Sequence, residues 1–247
     1  MEIQRPPSGN DLFDAGYLDW KGWDLTQFAA LSARERNYFQ QEVAALPKQQ
    51  IRRALDVGFG LGAFLAFGRE RNWQMSGTEA SLELVEAARI AGFDAYPADA
   101  LASLPAGDFD LITCFDVLEH IPLQDMTAFL LTLKARLSPG GVLLCRFPNG
   151  DSPFGRAFQN GDPTHCTVLG EARVNHVARQ AGLQVIRFAG EARPTIDRSW
   201  RMVVSRLVVH TLERTLEPCI KRVMFPGWRF ALFSPNSVVA FRTRQET

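Results

Sequence analysis

Three groups of residues in this sequence have the types and spacing to do chemistry. The first is Asp56-Val57-Gly58-Phe59-Gly60-Leu61-Gly62, where glycines alternate directly after a short apolar run containing Leu55 and Val57. Such a run predicts a buried strand, a tight turn and a helix start over Gly62–Arg71. A ligand can approach the main chain closely there and meet the exposed N–H groups of the helix. The second is Glu79, an acid at the end of an expected strand about 20 residues past the turn, where a ribose is commonly held. A carboxylate suits that task because it has two acceptor oxygens and no proton to clash with hydroxyl donors. The third is Asp162-Pro163-Thr164-His165. His165 suits proton removal near neutral pH, with Asp162 orienting it or stabilising its charged form. Thr164-His165 could equally pin its loop through backbone hydrogen bonds.

Positioning these groups requires alternating strands and helices. Further strands are expected over Trp73–Thr78, Phe93–Pro97, Phe109–Phe115, Val142–Phe147 and Leu183–Ala189. Helices are expected over Ser81–Ala91 with Ser81 as its N-cap, over Gln124–Leu137, and over Glu171–Ala181 ended by Gly182. Leu137–Gly141 reads as the turn ending the second of these. In an open α/β sheet the C-terminal strand ends line the binding crevice, so the long polar loop after Phe147, which includes Asn149 and Arg156, should border a substrate. Met1–Asn10 reads as a loose arm. Phe13, Tyr17, Trp20 and Trp23 then precede a helical pattern over Leu25–Leu46.

The Asp-x-Gly-x-Gly-x-Gly order at Asp56–Gly62 resembles the first motif of the class I S-adenosylmethionine (SAM)-dependent methyltransferases. Phe109-Asp110-Leu111-Ile112, followed by Val117-Leu118-Glu119-His120-Ile121, is similar to the fourth-strand motif of the same superfamily, and order and spacing agree over Ile51–Ala189. The resemblance implies a Rossmann-like α/β fold with a seven-stranded, mostly parallel sheet and helices on both faces. It also implies SAM as cofactor and S-adenosylhomocysteine as product, with Asp56, Gly58, Phe59, Gly60, Gly62, Glu79, Ala80, Asp99, Ala100, Phe115 and Asp116 around them. Asp99 would bind the adenine amine, and Phe59 departs from the small or polar residue often found at its position. N-terminal helices often cover the mouth in this class, so Tyr17, Trp20 and Trp23 could form a lid or only pack their helix. Glu119 and His120 could bind substrate, bind a metal as in some quinone-biosynthesis relatives, or cap the next helix; the structural reading is favoured and no metal is expected. Pro148-Asn149-Gly150…Gly161-Asp162-Pro163-Thr164-His165 resembles a subgroup associated with bacterial surface-polysaccharide biosynthesis, which implies O-methylation of a sugar, a glycan or another small-molecule hydroxyl. The alternatives are a non-catalytic SAM-binding scaffold and a nicotinamide-dependent oxidoreductase.

Composition limits the rest. With 46% hydrophobic residues the 247-residue chain can bury a sizeable core, and 27 basic residues balance 27 acidic ones, so no net basic field draws in nucleic acid. Cys114, Cys145, Cys166 and Cys219 are dispersed, which fits a reduced, cytoplasmic setting. The organisation expected is an arm and helical lid over residues 1–50 and one methyltransferase domain over 51–247. Residues 194–235 form a helical insertion before the last strand, Ser237–Arg242. Within it, apolar residues alternate with Arg198, Arg201, Arg206, Arg214, Lys221 and Arg222 as a basic amphipathic helix, broken or kinked at Pro218. That helix could lie at the inner face of a membrane, form a dimer face or pack over the pocket.

Overall fold

The computed structural model describes Leu18 and residues 21–193, 200–228 and 230–244. Tyr17, Trp20 and the start of the expected insertion, including Arg198, lie outside the described residues. Seven strands form one sheet: β1 (Arg53–Val57), β2 (Gln74–Glu79), β3 (Asp94–Pro97), β4 (Phe109–Phe115), β5 (Leu137–Pro148), β6 (Leu183–Gly190) and β7 (Asn236–Thr243). Their order is β3-β2-β1-β4-β5-β7-β6, with β7 antiparallel to both neighbours and the first five strands parallel. The chain runs outward in one direction from β1 and in the other from β4. Their C-terminal ends therefore flank the crevice where such sheets bind ligands.

Side-chain alternation splits the core between the two faces. Leu55, Ile112, Leu143 and Phe147 face Met126, Leu130 and Leu133 of α4 (Leu123–Arg136) and Val174 and Val177 of α6 (Glu171–Gln180). Ala54, Leu111, Val142 and Leu144 face the other way, towards α1 (Ala33–Ala44), α2 (Ala63–Glu70) and α3 (Leu82–Ile90). The short α5 (Arg156–Gly161) sits in the loop after β5, and α7 (Trp200–Met224) joins β6 to β7. On α1 the buried Glu42 pairs with Arg187 of β6 at 2.6 Å and accepts the Ala192 N–H at 2.5 Å, tying the N-terminal helix to the far edge of the sheet.

Three expectations require correction. The N-terminal helix covers only α1; Ser32 and Glu35 form its capping box, while Leu25–Gln27 is a separate 3-10 turn and Ala29 has φ of 57°. Phe28 and Leu31 therefore precede the helix. Leu137–Gly141 is the irregular start of β5, because Leu137 pairs with Phe109 before the register shifts at Leu111. Gly140 accommodates that irregularity at φ of 82°. Finally, α7 is not broken at Pro218 but continues through it to Met224. The helix is exposed there, so water can satisfy the Arg214 carbonyl that loses its N–H partner.

Candidate active site

Beyond β1 the chain turns at three left-handed glycines, with φ of 70° at Gly58, 52° at Gly60 and 75° at Gly62. A Cβ on Gly58 would fall 2.4 Å from Val117 Cγ2, and one on Gly62 would fall 2.7 Å from the Phe28 ring. Trp23 lies over Gly60, 3.1 Å from where a Cβ would stand. The N-terminal segment thus packs directly on the turn. Phe59 points into the core, edge-on to Phe28 and filling the space beside Gly77, so its bulk is absorbed away from the crevice.

Glu79 braces the turn from β2. Its Oε2 accepts the Gly60 N–H at 2.9 Å, and its Oε1 accepts the Ala80 N–H at 2.7 Å and the Ser81 N–H at 3.4 Å. Burial raises its pKa, opposed by these backbone donors. The two short bonds leave lone pairs for ligand hydroxyls. Asp56 is buried beneath the turn and accepts the Thr113 hydroxyl at 2.7 Å; burial pushes its pKa up to about 7. It supports β1 against β4 and does not line the crevice.

A cavity of about 340 Å³ opens at the ends of β1, β2 and β4, lined by Trp23, Gly58, Glu79, Ala80, Ala98, Asp116, Val117 and His120 among others. Larger open grooves lie elsewhere, but this cavity takes in Gly58, Glu79, Ala80 and Asp116, while Gly60 and Gly62, packed under Trp23 and Phe28, stay out of its lining. Asp99 and Ala100 follow Ala98 on a 3-10 turn that also places Leu101 in the wall; Asp99 is exposed and outside the lining. Asp116 adopts φ of 57° and forms a two-pronged ion pair with Arg146.

Three expected site residues stay out of the cavity. Phe115 joins an aromatic cluster with Tyr38, Phe39 and Phe64 on the opposite face of the sheet from α4. Asn149 is buried; its Nδ2 donates to the carbonyls of Ala231 at 2.8 Å and Ser234 at 3.1 Å, fixing the return to β7. Arg156 is exposed at the start of α5 and does not line the cavity.

The expected base is also displaced. His165 lies behind His120, with ring centroids 4.6 Å apart, and is absent from the cavity wall. Its Nδ1 donates to the Gln159 carbonyl at 3.1 Å, which turns Nε2 toward Asp162 at 3.7 Å and Glu119 at 3.8 Å. His120 lines the cavity. Its Nδ1 lies 2.8 Å from Thr164 Oγ1, and the Thr164 hydroxyl donates to Asp162 Oδ1 at 2.5 Å. Because that hydroxyl proton is committed to Asp162, His120 must carry its proton on Nδ1, leaving Nε2 as the proton-accepting nitrogen. Burial and the neighbouring His165 lower the His120 pKa to about 4, so it is neutral at pH 7. Asp162 in turn pairs with Lys21 at 2.7 Å. Burial raises its pKa, but the Lys21 and Thr164 hydrogen bonds outweigh that and leave it at about 2.

Glu119 is 1% exposed, and among the described residues neither carboxylate oxygen has a hydrogen-bond partner. Burial and the negative charge of Asp116 hold its pKa well above the ordinary range. Glu119, His120 and His165 each offer one donor atom, all within 4.8 Å of one another, a set that could hold a metal ion. The sequence signals for this cluster were the Glu-His pair after β4 and the Thr-His pair after α5; their meeting depends on the fold.

A family model described as a methyltransferase domain matches residues 30–187. The ubiquinone biosynthesis O-methyltransferase of Bordetella avium is 31% identical over 196 residues, which cover 70% of this chain and 79% of that protein. Among solved structures, a SAM-dependent methyltransferase from Archaeoglobus fulgidus has a TM-score of 0.61 at 19% identity, covering 92% of this chain and 99% of that one. The Burkholderia thailandensis 1,6-didemethyltoxoflavin-N1-methyltransferase, solved with its substrate and S-adenosylhomocysteine, has a TM-score of 0.57 at 14% identity and covers 98% and 94%. The glycine turn, the braced Glu79 and the crevice at the sheet's switch point fit a nucleoside-bearing cofactor such as SAM, and the chain belongs to the methyltransferase-domain family as a SAM-dependent methyltransferase.

Proposed function

We propose that the chain transfers a methyl group from SAM to a hydroxyl of a small molecule, a sugar or glycan-type acceptor being the class implied by its long loop after β5. The observation carrying this reading is His120, which lines the cavity with its tautomer set by Thr164 and Asp162. The O-methyltransferase activity named for the Bordetella avium relative supports oxygen as the acceptor atom. Bound SAM supplies a methyl already activated by the sulfonium charge. The protein therefore has to align the acceptor, exclude water and remove one proton. Gly58 and the Glu79 carboxylate would hold the methionyl and ribose portions. The Ala98–Leu101 turn, with Asp99 on it, would hold the adenine. Trp23 would cover the mouth, and His120 Nε2 would take the proton as the acceptor oxygen bonds to the methyl carbon and the carbon–sulfur bond breaks, releasing S-adenosylhomocysteine; its pKa of about 4 keeps Nε2 unprotonated at pH 7 while making it a weak base.

The test is labelled-methyl transfer to nucleotide sugars, lipid-linked glycans and ubiquinone precursors, run with the parent and His120→Ala alongside calorimetric SAM binding. The expected result is transfer to an oxygen that the variant loses while SAM still binds. SAM binding without transfer to any acceptor would favour the non-catalytic role.

Glu119 supports a second reading. A buried carboxylate with two unpartnered oxygens beside two imidazoles suits a divalent cation, which would acidify a bound hydroxyl by its charge. Calorimetric titration with Mg²⁺, Mn²⁺ and Zn²⁺, with Glu119→Gln as control, separates the two: binding lost in the variant supports the cation, and no binding leaves His120 as the base.

A further inference from the structure

We propose that α7 docks the protein on an anionic lipid surface, lying along it. The helix has 25 residues, about 37 Å at the usual rise, yet none of its described side chains is buried. Val203, Arg206, Val209, Glu213, Glu217, Ile220 and Lys221 are half-buried and share the side facing the body. The polar groups on that side are matched internally. Glu213 pairs with Arg193 at 2.6 Å, Glu217 lies 3.5 Å from Lys221, and Lys221 donates to the Phe230 carbonyl at 2.7 Å.

The outward side is the reverse of an ordinary surface helix. Trp200, Val204, Leu207, Val208, Leu212 and Leu216 stand exposed, Trp200 by 72% and Leu207 by 56%. Arg201, Arg214 and Arg222 are exposed among them, and both acids of the helix lie on the inward side. Apolar groups interleaved with cations and free of acids complement a surface that is hydrocarbon just beneath a layer of negative charge. A second copy of the same face fits poorly, because two-fold pairing would set arginines against arginines with no carboxylate between them. No helix among the described residues is long and apolar enough to cross a membrane, so α7 would lie on the surface rather than span it.

The attachment also has a direction. The segment after α7 is fixed to the loop after β5 by the Asn149 bonds to Ala231 and Ser234 and by the Ser152 hydroxyl, which donates to the Leu232 carbonyl at 2.5 Å. That loop leaves the C-terminal end of β5, the end of the sheet at which the cavity opens. The segment that follows the lipid-docking helix is therefore anchored at the catalytic end of the sheet.

The experiment is flotation of the full chain with phosphatidylcholine vesicles, with and without phosphatidylglycerol, and light scattering of the protein alone. The parent should float only with the anionic vesicles and release as salt rises. Leu207→Glu with Val208→Glu should abolish flotation, and each of Arg201→Gln, Arg214→Gln and Arg222→Gln should weaken it about fivefold. Retained S-adenosylhomocysteine binding in every variant reports the fold independently of lipid and of the acceptor. Absence of parent flotation overturns the proposal, as does flotation that both sets of variants leave intact. A protein dimer that Leu207→Glu with Val208→Glu dissolves, without vesicle binding, replaces the lipid with a second copy.

Discussion

Gly58→Ala tests whether the glycine turn is shaped by its contact with the segment after β4. An alanine at φ of 70° pays the left-handed penalty of about 1–2 kcal/mol. Its methyl would also meet Val117 Cγ2 at 2.4 Å, and such overpacking typically costs about 1–3 kcal/mol. The total is about 2–5 kcal/mol, and Val117 must swing to accommodate the methyl although it lines the cavity. Val117→Ala alone should cost about 1 kcal/mol, since the side chain is only partly buried. In the double variant the clash is gone and only the backbone penalty and the truncation remain. Urea denaturation should therefore show the double variant more stable than the sum of the singles by about 1–3 kcal/mol. Calorimetry should show S-adenosylhomocysteine affinity lost in Gly58→Ala and partly regained in the double variant. Additive stabilities would refute the reasoning, because they would mean that the turn and Val117 do not compete for the same space.

Glu79→Ala and Glu79→Gln should both lose SAM affinity by at least about tenfold, since an amide presents a donor to at least one of the three N–H groups that the carboxylate accepts; an unchanged calorimetric affinity for the glutamine variant would remove the brace from the argument. Asp56 titrates near pH 7 in the fold against 3.8 for the free group, so its stabilising contribution is fully present below about pH 4 and lost as pH rises through 7. Asp56→Asn keeps an acceptor for Thr113 and should be more stable than the parent above pH 7, by up to about 4 kcal/mol, as read from denaturation midpoints across pH. Asp162 behaves oppositely: its depressed pKa gives stability present above about pH 4 and lost toward pH 2. Lys21→Met should flatten that acid limb and cost about 1 kcal/mol, with faster hydrogen exchange over residues 21–28.

Much of the fold was legible because its signals are local. Leu55 and Val57 before alternating glycines, Ser81 as a cap and Gly182 as a stop each act within a few residues, and the structure has the strand, cap and helix end in those places. The late position of β7 was legible from the length of chain between β6 and its first apolar alternation. The failures arose where distant partners decide. Leu137–Gly141 carries turn residues, yet Phe109 recruits Leu137 into the sheet. Pro218 carries a helix-breaking signal, yet an exposed helix tolerates it. Phe115 sits at a position expected beside the cofactor, but its strand parity turns the ring into the aromatic cluster with Tyr38 and Phe39.

The sequence by itself determined the scaffold and a nucleotide-type cradle, since a glycine turn, an acid at the end of the next strand and the alternation of periods all follow from local backbone chemistry, and the resemblance of Asp56–Gly62 and Phe109–Ile121 to methyltransferase motifs implied SAM. Tertiary structure alone decided which imidazole faces the cavity. His120 and His165 are 45 positions apart in number and chemically alike; the loop after β5 folds back so that Thr164 and Asp162 fix His120 at the cavity wall while His165 is left behind it. It likewise buried Glu119 among them with His165 Nε2 at 3.8 Å but no hydrogen bond from the described residues, and turned the matched charges of α7 inward. Tautomer, burial and exposure are properties of contacts between remote segments, and no spacing along the chain encodes them.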